Sequence, residues 1–161
     1  MFNRRYLPPV SSGGSSSKLP YIYANRVTNQ SIPNNSYTQI IFNNLISNDA
    51  SYFSLNIATG LVTILQTGVY NFTLNTVWSA SAVGIRQNVA NLTESATLYQ
   101  FFSDMVPANL TIGLNTLSFL FKCNVINDTI GFFCYQNTGA ALNLGTGNVA
   151  LMFTIIRLSD V

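Results

Sequence analysis

With 161 residues, 48% of them hydrophobic and 12% aromatic, the chain is sized for one domain with a substantial core. Charged residues make up only 7% and the formal net charge is +2, which excludes the basic stripe of a nucleic-acid binder and any acidic tail. The sequence has no His, so the commonest general base and the commonest metal ligand are both missing.

The chain opens MFNRRYLPPVSSGGSSSKLP. Phe2, Arg4, Arg5, Tyr6, Leu7, Pro8 and Pro9 form a short aromatic, basic and proline-bearing peptide, and SSGGSSS after it has the composition of a flexible tether. Pro-Pro and the Gly/Ser run stand where a secretory signal needs a continuous apolar segment, so synthesis in a reducing cytoplasm is expected. Residues 1–20 therefore read as an extended anchoring arm and linker, and residues 21–161 as a head domain.

From Tyr21 onward the sequence alternates short strand-forming runs with turn residues. YIYANRV, TQIIFN, YFSLN, LVTI, VYNFTLNTVW, IRQNV, LYQFF, TLSFLFKC, IGFFCYQ and VALMFTIIRL are rich in aromatic and β-branched residues and bounded by Asn, Gly, Asp or Pro. About ten strands and no convincing helix predict an all-β antiparallel sandwich. Asn, Thr, Ser and Gln break every long apolar stretch, so no run of about 18 apolar residues exists and no membrane span is expected.

Within VYNFTLNTVW, the residues Tyr70, Phe72, Leu74 and Trp78 fall on one face, and Asn71, Thr73 and Asn75 on the other. The run containing Phe119 and Phe121 and the last run, with Met152 and Ile156, are instead apolar on both faces. A solvent-facing strand does not need that, so a second buried surface is expected, most simply another copy of the chain.

Cys123 and Cys134 are flanked by apolar residues and read as buried thiols rather than a disulfide. FKCNVINDTIGFFCY on its own fits a hairpin that sets the two cysteines opposite each other; a jelly roll sends the two strands to opposite sheets. The five carboxylates, Asp49, Glu94, Asp104, Asp128 and Asp160, are scattered and read as solvated turn residues, with no calcium-loop spacing among them. Neither a nucleophile elbow nor a phosphate-binding loop is present. A non-enzyme without cofactor or metal is the expectation.

The stretch from Gly60 to Phe72, GLVTILQTGVYNF, resembles the signature of C1q-like globular heads, related in fold to tumour necrosis factor. In those heads a Gly-x-Phe-Thr strand precedes Gly-x-Tyr-x-Phe. Gly60, Thr63, Gly68, Tyr70 and Phe72 agree with that pattern, and Val62 stands where Phe is usual. The resemblance extends over about residues 24–158 and weakens toward the C-terminus, where GNVALMFTIIRL lacks the usual Gly-Phe-Leu ending. It implies a ten-stranded C1q/TNF-like jelly roll and a homotrimer, with Phe119, Phe121, Met152 and Ile156 as interface residues; both cysteines would then face the core.

The arm and the resemblance together give a functional expectation. Spikes and head fibres of double-stranded DNA viruses are known with heads that look like tumour necrosis factor. The chain is accordingly expected to be a structural decoration protein on the capsid surface of a virion. Its arm would dock on a capsid protein and its head would project to attach to a host receptor or glycan. A capsid-building penton or cement jelly roll is the first alternative, and a free-standing C1q-like ligand-binding module the second.

Overall fold

The computed structural model describes residues 18–105, 113–145 and 151–160. Among them thirteen strands and no helix form. In chain order these are β1 (Tyr21–Asn25), β2 (Gln30–Ile32), β3 (Thr38–Gln39), β4 (Asn44–Asn48), β5 (Phe53–Asn56), β6 (Leu61–Ile64), β7 (Gly68–Trp78), β8 (Arg86–Glu94), β9 (Thr97–Met105), β10 (Gly113–Cys123), β11 (Asp128–Gln136), β12 (Leu142–Leu144) and β13 (Leu151–Ser159).

Two antiparallel sheets face each other as a jelly roll. One has seven strands in the order β2-β12-β7-β13-β1-β4 with β10 paired to the free side of β7; the other has six in the order β5-β6-β11-β8-β9 with β3 paired to β11. The central strand β7 shows why. Its residues alternate buried and half-buried along the whole length, so Tyr70, Phe72, Leu74, Thr76 and Trp78 point between the sheets while Val69, Asn71, Thr73, Asn75 and Val77 point away.

The space between the sheets is filled mostly by rings. Phe42 meets Phe153 edge to face at 4.7 Å between centroids, and Phe53 meets Tyr70 likewise at 5.8 Å. Each such fully buried side chain contributes about 1.5–3 kcal/mol. One polar cluster crosses this core. Thr76 Oγ1 donates to Asn88 Oδ1 at 2.9 Å, and Asn88 Nδ2 donates to the carbonyl of Asn115 at 3.1 Å, tying β7 and β10 to β8 in the opposite sheet. A satisfied buried network of this kind sets the alignment of the two sheets, because sliding one of them leaves several polar groups unpaired.

The architecture agrees with the predicted sandwich and adds short strands that the sequence did not announce. β2 and β12 pair only with each other and with the end of β7, and β4 is an edge strand exposing Leu45 and Ile46. The run TQIIFN pairs with β11 at Thr38 and Gln39, and the Ile40 amide donates to the Phe132 carbonyl at 2.8 Å. Beyond them side chains take over, with Arg26 Nη1 donating to the Ile41 carbonyl at 2.6 Å and the Ile41 amide donating to Gln30 Oε1 at 3.1 Å. Cys123 on β10 and Cys134 on β11 lie in opposite sheets, both buried and both free, which excludes the hairpin arrangement. Among the described residues no helix is long and apolar enough to cross a membrane.

Candidate functional site

The motif residues of the Gly60–Phe72 stretch serve the frame. Gly60 has φ 75°, and a Cβ there would lie 2.2 Å from the carbonyl oxygen of Ile40. At Gly68 a Cβ would come within 2.7 Å of both the Arg157 side chain and the Ser159 carbonyl, so β7 starts where β13 passes too close for any side chain. Tyr70 is fully buried and its hydroxyl donates to the Gln66 carbonyl at 2.6 Å; burial pushes that hydroxyl's pKa up to about 12. Phe72 is buried, Val62 occupies a core position, and half-buried Thr63 sits between Ser54 and Thr129 on the outer face of the six-stranded sheet.

An aromatic seam opens between the sheets at one side of the sandwich. Among the described residues β9 has only β8 as a neighbour and β10 only β7, so each presents an unpaired edge there. The rings of Phe72, Phe119 and Phe101 stack in series, at 4.9 Å and 3.8 Å between centroids and nearly parallel. Tyr99 and Phe121 continue the row at 5.0 Å. Phe101, Phe119 and Phe121 are half-buried, and nothing among the described residues closes the outer side. At one end Ser103 and Asn115 clasp the strands, Asn115 Nδ2 donating to the Ser103 carbonyl at 2.9 Å.

The outer face of the seven-stranded sheet is a second surface, over which no strand packs among the described residues. Across it run the rows Tyr21–Ile156–Asn71–Leu120 and Asn25–Met152–Asn75–Thr116, as the strand registers require. Met152 and Ile156 are half-buried and Leu120 is 62% exposed. The four interface candidates thus divide. Phe119 and Phe121 point into the seam, and Met152 and Ile156 lie on the outward face of the same sheet.

The carboxylates do not all sit in solvent as expected. Asp104 and Asp160 are exposed, but Asp128 and Glu94 are buried where the β8–β9 turn meets the start of β11. Burial and the neighbouring Glu94 hold the Asp128 carboxyl above the usual range, and its Oδ2 is buried with no hydrogen-bond partner among the described residues. Glu94 accepts from the backbone and side-chain amides of Asn124 at 2.8 and 3.2 Å. Arg86 is also fully buried, with Nη2 donating to the Ser81 carbonyl at 2.9 Å while Nε and Nη1 have no hydrogen-bond partner among the described residues. Sequence carries no signal for such burial, since isolated charges next to turn residues ordinarily face water. Among the described residues no three metal-ligating side chains converge. The arm residues Phe2, Arg4, Arg5, Tyr6, Leu7, Pro8 and Pro9 lie outside the described residues.

With the sheet order in place, the chain was compared with known proteins; no family model and no curated protein matches it. Solved structures do match. The fold is that of tumour necrosis factor and C1q heads. Murine APRIL superposes with a TM-score of 0.71 at 11% identity, over 88% of this chain and 100% of its own. The Eiger TNF from S. frugiperda gives 0.66 at 11% identity, over 89% and 94% of the two chains. The globular domain of zebrafish complement 1qA gives 0.62 at 15% identity, over 88% and 99%. In this tumour necrosis factor/C1q-like sandwich the seam and the outer face of the seven-stranded sheet are two partly apolar surfaces that no further strand covers among the described residues.

Proposed function

We propose that the chain is a homotrimeric recognition head, fastened by residues 1–20 to the capsid surface of a virion as a spike or head fibre. The observation that carries the assembly is the presence of two unlike surfaces, each partly apolar and covered by no further strand among the described residues. The seam is a row of ring edges, and the outer sheet face is a shallow field of Ile156, Met152, Leu120 and short polar side chains. Neither surface complements itself. A head-to-tail contact between them repeats around an axis and closes as a ring, bringing Phe119 and Phe121 of one copy against Met152 and Ile156 of the next. The likeness to tumour necrosis factor and C1q heads supports three copies per ring.

Binding rather than catalysis is favoured by a chain without His. The arm's composition supports the anchoring role. Phe2, Tyr6 and Leu7 supply pocket-filling groups, Arg4 and Arg5 pair with carboxylates or carbonyls, and Pro8 and Pro9 lower the entropy lost on docking. Three heads per spike and many spikes per particle then turn weak single contacts into firm attachment.

Light scattering on the full chain at micromolar concentration tests the assembly, with three times the 17.6 kDa protomer mass expected. A chain lacking residues 2–10 should keep that mass yet fail to join virus particles. A monomeric full chain overturns the ring. Unchanged incorporation of the shortened chain overturns the anchor and favours a free-standing binding module.

A further inference from the structure

A pocket of about 280 Å³ lies on the outer face of the six-stranded sheet, on the face of β9 opposite the one that joins the seam. The strand registers build it in rows. Phe133, Val89 and Phe102 form one row across β11, β8 and β9, and Gly131, Asn91 and Gln100 form the next. Gly131 contributes no side chain to its row, and the Leu61, Phe133 and Gln39 side chains close over its place, at 3.0, 3.1 and 3.3 Å from where a Cβ would stand. Tyr37 closes the pocket, its ring 4.8 Å from that of Tyr135 and its hydroxyl donating to Gln87 Oε1 at 3.0 Å. Val89 points outward yet is only 1% exposed, because the rings cover it, whereas Phe102 remains 50% exposed. That exposed ring has no ring partner among the described residues.

We infer that this pocket, lined by Tyr37, Val89, Asn91, Gln100, Phe102 and Phe133, binds an uncharged saccharide unit. A pyranose has one face of C–H groups and an edge of hydroxyls, each both donor and acceptor. The rings of Phe102 and Tyr37 suit the first, and the paired amides suit the second. Gln100 Nε2 donates to Asn91 Oδ1 at 3.1 Å, which leaves the Asn91 NH2 as donor and Gln100 Oε1 as acceptor on two side chains of the pocket lining. Charge fixes the class of sugar. No ionisable group but the Tyr37 phenol lines the pocket, and the adjoining row Tyr135–Gln87–Asp104 carries a carboxylate, Asp104 accepting from Gln87 Nε2 at 2.6 Å, which repels sialylated or sulfated units. The volume sits just under the roughly 300–1,000 Å³ of drug-sized clefts, which fits one sugar ring rather than a long oligomer.

This site deepens the recognition-head reading and rests on it, since single-ring contacts are weak and act only when copies are multiplied. The test is an amide NMR titration of the full chain with methyl glycosides of glucose, galactose, mannose and N-acetylglucosamine, with methyl sialoside as the charged comparison. At least one neutral glycoside should give saturable shifts at Asn91, Gln100 and Phe102 with millimolar half-saturation. Phe102→Ala and Asn91→Ala should each weaken the response at least tenfold while the native mass stays unchanged. The assignment falls if no neutral glycoside gives saturable shifts there up to about 50 mM, if only the sialoside binds, or if Phe102→Ala responds like the parent chain. Native mass measured on the same samples separates the two ideas. A trimer that binds no sugar sinks the pocket alone, and a monomer that binds sinks the ring alone.

Discussion

Gly60 holds a left-handed backbone at φ 75° with the Ile40 carbonyl pressed against the place of its missing side chain. A non-glycine residue in that conformation costs about 1–3 kcal/mol, and the overlap with backbone adds to it. Gly60→Ala should therefore lower the thermal midpoint by at least ~5 °C; an unchanged midpoint would mean that the Ile40 loop yields freely. Asp128 poses the opposite case, a residue that opposes folding at neutral pH. Its carboxyl is raised by burial and by Glu94, so the folded state holds the proton more tightly than the unfolded chain does. The stabilising share exists below the ordinary carboxylate pKa and is lost as pH climbs through the raised value. Asp128→Asn should thus raise the midpoint at pH 7 and leave it little changed near about pH 3. Equal shifts at both pH values would remove the electrostatic account. Gly60 was legible in the sequence because its spacing to Gly68 is a motif. The burial of Asp128 was not, because Asn-Asp-Thr reads as an ordinary turn wherever it occurs.

Strands divide in the same way. β7 announces itself, since GVYNFTLNTVW alternates without interruption and one sheet face must be dry. β2 and β12 are three residues each and exist because Leu142 pairs with Ile32 and Leu144 with Gln30, partners far apart in the chain. No local pattern encodes such a pairing. β9 and β10 were recognised as strands, but their being open edges depends on which sheet each joins. That placement carries the assembly proposal, and it yields a sharp variant. Ile156 is half-buried on the outward face, so an arginine there can lay its stem along the sheet without disturbing the core. In a closed ring the same guanidinium is stripped of water without a partner, which costs several kcal/mol. Ile156→Arg should keep the parent's circular dichroism and fall to the mass of a single protomer. Persistence of the parent mass would move the interface elsewhere.

For the molecule as a whole, the sequence by itself determined the class of fold and the nature of its core. Period-two alternation, β-branched and aromatic runs and well-spaced turn residues are local, and together they admit little but a sandwich; the Gly60–Phe72 motif narrowed this to a C1q/TNF-like jelly roll. Sparse charge and the lack of His were equally plain, and both turned attention from catalysis toward binding. What only the tertiary structure decided was which side chains share a surface. Phe119 and Met152 come from one sheet yet point to opposite sides of it, and Tyr37, Asn91, Gln100 and Phe133 meet in one pocket although they span nearly a hundred positions. The physical reason is that a strand's own pattern fixes which face is dry, while its neighbours are chosen by long-range backbone pairing and by the packing of one sheet on the other. Surfaces are made by neighbours, so they appear only once the sheets are assembled.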